Sequence, residues 1–167
     1  MYSKNTQKLV EIHISEAKKH ALQLFAFTSA IFPAEWSNSW NEVVTFSLLE
    51  FSFHARKVNE LCEFKNEAFP SINQLMVKIS ENDPGNWETN YHFALNAFIH
   101  IKSFIIGQAH ADHRVIFPSS SANLQTTYVK IETDIYPEKT SSICGLVFSF
   151  LNHVIPLLRS KYPDLKF

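Results

Sequence analysis

Leu48-Leu49-Glu50-Phe51-Ser52-Phe53-His54-Ala55-Arg56-Lys57-Val58-Asn59-Glu60-Leu61 is the middle of a segment, Trp40 to Phe64, that contains neither Gly nor Pro. Val44, Leu48, Phe51, Ala55, Val58 and Cys62 recur at three- and four-residue intervals, the spacing of one face of an α-helix. Phe46, Leu49, Phe53, Leu61 and Phe64 widen that stripe beyond what a surface helix needs, which predicts a central helix. Ser39 followed by Glu42 fits a capping box at its start.

Working outward, Asn5 to Ile31 reads as a first helix stopped by Pro33. Phe69 to Ser80 is ambiguous, with a short helix carrying Ile72, Leu75, Met76 and Ile79 as one reading. Asp83-Pro84-Gly85-Asn86 is a turn. Tyr91, Leu95, Phe98, Ile101 and Ile105 predict a third helix, ending either with Gly107 as its C-terminal cap or further on at Ala111. Arg114 to Phe117 and the β-branched alternation from Gln125 to Thr133 read as a small hairpin. A last helix is expected from Glu138 to Lys161, kinked by Pro156 near Asn152. The expected fold is therefore all-α: four main helices in a bundle, with a small β-hairpin-like excursion before the last, forming one domain over 1–167.

Composition agrees with long helices and short loops. The chain has 15 Phe but only 3 Gly among 167 residues, so few positions demand positive φ. A net charge of −1 with interspersed signs implies no broad field for nucleic acid. Cys62 and Cys144 are far apart and lack Cys-x-x-Cys spacing, so two reduced thiols are expected. Met1 to Lys8 is polar and carries no signal-peptide pattern, and no apolar run reaches the length of a membrane span. A cytoplasmic protein without a membrane partner or a cofactor is the expectation.

Three clusters can carry chemistry. His54 and Arg56 lie on the second helix, where Glu50 and Glu60 stand one turn away from each and offer ordinary ion pairs. Asn96, His100, Ser103, Gly107 and His110 fall at helical spacing, which makes His100 a candidate acid or base with Asn96 beside it. His110, Asp112 and His113 are three potential metal ligands within four residues, with His54, His92 or His153 as distant partners.

The segment Leu48 to Leu61, taken with Asn96-Ala97-Phe98-Ile99-His100, resembles helical-bundle proteins of the HEPN-like kind, some of which carry a His-Ala-Arg helix followed by an Asn-x-x-x-His helix. The resemblance implies a four- or five-helix bundle, frequently homodimeric. It also implies metal-independent RNA cleavage or RNA binding in a toxin–antitoxin or defence setting. The hallmark of active members, an Arg followed four to six residues later by a His, is absent from Arg56, Arg114 and Arg159. Under this reading Arg56 binds phosphate and His100 moves the proton. Two other classes fit the residues: a non-catalytic dimerisation or interaction module, and a metal-dependent bundle enzyme built on His110, Asp112 and His113.

Overall fold

A computed structural model of the chain describes residues 4–30, 33–70, 74–78, 82–112, 123–134 and 138–167. Helix α1, Lys4–Ser29, turns through a short 3-10 segment, Ala34–Trp36, into helix α2, Ser37–Leu61. The two form a hairpin. Val10, Ile14, Ala17, Ala21 and Leu24 are fully buried on α1, and Val44, Leu48, Phe51, Ala55 and Val58 are buried on α2. Both lines step by four, three, four and three residues, so each helix turns one face to the core. The capping box does not form. Trp36 occupies the cap position of α2 without a side-chain hydrogen bond, and the helix starts two residues earlier than Ser39.

Beyond α2 the chain leaves the all-α expectation. Strands β1 (Met76–Lys78), β2 (Asn86–Trp87), β3 (Ser103–Asp112), β4 (Asn123–Glu132) and β5 (Glu138–Ser142) form one sheet, in the order β2-β1-β5-β4-β3. Every pairing is antiparallel. The protein is mixed α/β, and the small excursion is in fact the sheet that closes the core.

Two segments read as helix account for most of the difference. Helix α3, Tyr91–Ile99, ends well before Gly107, and Ser103 onward pairs with β4 over ten residues. Ile101 and Ile105 fit helical spacing, but the β-branched Ile101, Ile105 and Ile106 suit a strand equally well. The partner strand twenty residues later decides the matter, because it offers β3 a ten-residue antiparallel ladder from Ser103 to Asp112. Gly107 is no cap; it pairs with Tyr128, whose ring covers the space a Cβ would take.

The second is Glu138–Ser142, which joins the sheet as β5 before the last helix begins. Ser142 then caps helix α4, Ile143–Ser149, by accepting from the Gly145 amide. The helix continues through a π-turn, Phe150–Val154, into helix α5, Ile155–Lys161. Pro156 lacks the amide that would bond Asn152 and its ring crowds that carbonyl, and the wider turn just before it relieves both problems.

Val129 and Ile131 of β4 are buried under the helices, while the opposite face of the sheet, with Trp87 and Lys130, is open. Helix α3 packs on α2, and α4 packs on α1 and β4. Tyr91 is wholly buried and its hydroxyl donates to the Leu146 carbonyl at 2.7 Å, tying α3 to α4. Residues 143–161 are long and apolar enough to cross a membrane by length and composition, and half of the most apolar window is buried inside this fold. The turn at Asp83 forms as expected: the Gly85 amide donates to the Asp83 carboxylate, and Gly85 takes φ +82°. The β-like run Arg114 to Phe117, with Ile72 and Ile79, lies outside the described residues.

Candidate functional site

His54 does not stand alone at a core edge. It lies in the trough between α1 and α2, where its Nδ1 is 2.8 Å from Nδ1 of His13. Only one ring of the pair can donate, so the contact needs at least one neutral imidazole. Glu50 Oε2 lies 3.5 Å from the other nitrogen of His54. The His20 ring lies parallel to that of His54, 6.5 Å away, and its Nε2 is 3.8 Å from Glu16. Burial, then the neighbouring His54 and Lys57, holds the His13 pKa below its usual value. Burial, then Lys19, does the same for His20 against the opposing pull of Glu50 and Glu16. His13, seven residues before His20 on one flank of α1, carried the available signal, but nothing in a single helix reveals that its partner is forty-one residues away.

Arg56 forms the expected helix pair with Glu60, at 3.0 Å. Lys57 also reaches Glu60, at 2.9 Å, and that bond, with Arg56 and His92 as further positive neighbours, keeps the Glu60 carboxyl below its usual range. The histidine beside Arg56 is thus His92, at the start of α3, whose pKa is lowered first by burial and then by Arg56. Asn96 is one turn further along α3, with a buried side-chain oxygen lacking a hydrogen-bond partner. His100 lies at the far end of that helix, exposed and close to Asp134. Eight residues of helix, roughly 12 Å of rise, separate it from His92. The structure brings Arg56 to His92, and it sets His54 in a different cluster with His13 and His20. Ser103, Gly107 and His110 belong to a strand, so the polar stripe drawn through them with Asn96 and His100 does not exist as a helix face.

His110 and Asp112 lie on β3, but their side chains and the whole of His113 fall outside the described residues. Among the described residues no group of three or more His, Cys, Asp or Glu is placed to hold a metal ion. Cys62 and Cys144 are both free thiols, and burial pushes Cys144 up to about 11.

The most extensive unexplained feature is on the outside of α2. The spacing of Phe46, Leu49 and Phe53 predicts core positions, and they are instead 61%, 37% and 43% exposed. Glu42, Phe46, Leu49, Phe53 and Lys57 recur at intervals of four, three, four and four, and so share one face of the helix. Phe46 is a ridge between two open grooves. One, about 340 Å³, is walled by Val43 and by Lys19, His20 and Gln23 of α1. The other, about 680 Å³, is walled by Leu49 and by Phe104 and Ile106 of the edge strand β3.

No protein-family model, no curated protein and no solved structure matches this chain. Geometry and chemistry alone carry a functional reading.

Proposed function

We propose that the chain works by self-association, as a non-catalytic homodimerisation module whose interface is the outer face of α2. One observation carries this reading: that face is self-complementary. Place a two-fold axis between Leu49 and Glu50 and lay α2 antiparallel against its copy. Phe46 then meets the partner's Phe53, and Glu42 meets the partner's Lys57, each contact occurring twice. A face that matched an unrelated partner has no reason to show this palindrome. The flanking grooves support it further, because an aromatic ridge between two grooves is the shape that helix-on-helix packing uses. Exposed apolar side chains gathered along one face, rimmed by charge, are what an unpaired interface presents.

The RNA-cleaving reading has less support. Its two residues stand in different surroundings: Arg56 pairs with Glu60, and His100 lies near Asp134.

Sedimentation equilibrium tests the proposal through charge reversal. Wild type is expected to dimerise, Glu42→Lys and Lys57→Glu each to weaken the dimer at least tenfold, and the double reversal to restore it. Glu42 is exposed, whereas Lys57 is half-exposed and paired with Glu60, so thermal unfolding of each variant is followed alongside to separate lost association from lost folding. A wild-type chain that stays monomeric at every concentration, or a double reversal no tighter than the singles, overturns the proposal.

A further inference from the structure

Phe46 and Phe53 are the two aromatic side chains that the proposed dimer brings together, and both rest on histidines. The Phe53 ring stands edge-on to that of His13, with centroids 5.9 Å apart, and to that of His54, at 5.2 Å. The Phe46 ring stands edge-on to that of His20, at 5.8 Å. His54 in turn touches His13 and lies parallel to His20, so one run of three imidazoles backs both aromatics of the apolar face.

These rings have little room for positive charge. His20 is 4% exposed, and its Nδ1 is buried without a hydrogen-bond partner. It lines the groove beside Phe46, which association through α2 would cover. His13 and His54 face each other through Nδ1 at 2.8 Å, a hydrogen bond that survives the first proton on the pair and not the second.

The surrounding charges sharpen this limit. Glu50 lies 3.5 Å from His54 Nε2, and Glu50 and Glu16 favour charge on His20 while Lys19 opposes it. The charges acting on His13 are those of His54 and Lys57, and both oppose its protonation. Glu11, further up α1, is held by Gln7 and by the Lys166 amide. The other elements packed on the two helices bring no relief. Helix α4 contains no Asp, Glu, His, Lys or Arg, and burial pushes its Cys144 thiol up to about 11. Lys130 and Glu132 of β4 are engaged with Glu138 and Ser103. Helix α3 offers His92, which faces Arg56 and Glu60, and the 3-10 turn places Glu35 at the opposite end of α2 from His54.

We propose, resting on the dimer reading above, that this histidine cluster makes self-association through α2 acid-sensitive. Neutral rings hold Phe53 and Phe46 where the partner's copies meet them. Two charged rings at His13 and His54 repel, and the one that swings outward displaces Phe53. A charged His20 needs the groove beside Phe46 open to water. Both changes favour separated chains. The separated chain then takes up protons more readily than the dimer, so the dimer is complete above the ordinary histidine value of about 6.5 and is lost as pH falls below it.

Sedimentation velocity of the full chain from about pH 7.5 to about pH 5.5, at one ionic strength, gives the dimer dissociation constant, and far-UV circular dichroism of the same samples reports the fold. The constant is expected to rise about tenfold or more over that range while the spectrum holds. His13→Gln keeps a hydrogen-bonding partner for His54 but cannot become charged, so most of the rise should vanish, whatever the affinity at neutral pH. His153→Gln should keep the wild-type rise, because that ring stacks on Phe69 instead of backing the α2 face. A dimer whose dissociation constant ignores pH overturns the acid sensitivity and leaves the dimer reading standing, whereas a chain monomeric at neutral pH overturns both. A full rise in His13→Gln, a lost rise in His153→Gln, or loss of helical signal in step with dissociation also overturns it.

Discussion

Four histidines, His13, His20, His92 and His153, are held below the usual imidazole range, in each case first by burial. The unfolded chain therefore binds protons that the folded one refuses. Stability is complete above the ordinary histidine value of about 6.5 and drains away as pH falls from there through the lowered values. The His13–His54 contact concentrates the effect, because two charged rings cannot share a hydrogen bond. Urea midpoints at about pH 7.5 and about pH 5 should differ markedly, and His13→Gln should narrow the gap. A second side-chain effect belongs to Gly107. A Cβ there would lie 2.6 Å from the Tyr128 ring and hydroxyl, so Gly107→Ala must push that ring off the sheet. A loss of about 1–3 kcal/mol is expected from denaturant titration.

The elements show which parts of the fold were legible. Helices α1 and α2 were, because their buried residues repeat at an interval that only a helix satisfies. Strand β4 was, because Thr127, Val129 and Ile131 alternate within a β-branched run. Strands β3 and β5 were not. Ile105, Ile106 and Thr140 suit either state, and a strand is fixed by its neighbour across the ladder, which local spacing does not reveal. The same limit hid the His13–His54 pair and the Arg56–His92 neighbourhood, while the Arg56–Glu60 pair, internal to one helix, was readable. Phe46 and Phe53 mislead for another reason: apolar residues on an exposed helix face carry the same spacing signal as those of a core helix. Where a strand runs directly into a helix, the junction depends on one hydroxyl. Ser142→Ala removes the α4 cap and the bond to Thr126, and should cost ~1–2 kcal/mol, with faster amide exchange at Gly145 as the local readout.

Taken whole, the molecule is a helical layer on one face of an antiparallel sheet, with two surfaces left over: the outer side of α2 and the open face of the sheet. The edge of that sheet is the ten-residue strand β3, whose Ile105 is 66% exposed. Long apolar edges invite uncontrolled pairing unless something covers them. Phe104 and Ile106 of β3 border the same groove as Phe46 and Leu49, so a dimer formed through α2 would shield that edge as well. Disrupting the dimer with Phe46→Asp is expected to raise light scattering on prolonged storage, relative to wild type at equal concentration.

The order of charges along α2, acid at Glu42 and base at Lys57 about a shared centre, has a consequence in genetic terms. A chain with Glu42→Lys carries two bases at the mirror positions, and one with Lys57→Glu carries two acids. Each repels its own copy and attracts the other. Two alleles that are each defective alone would therefore complement one another when expressed together, and every assembly formed would contain one product of each.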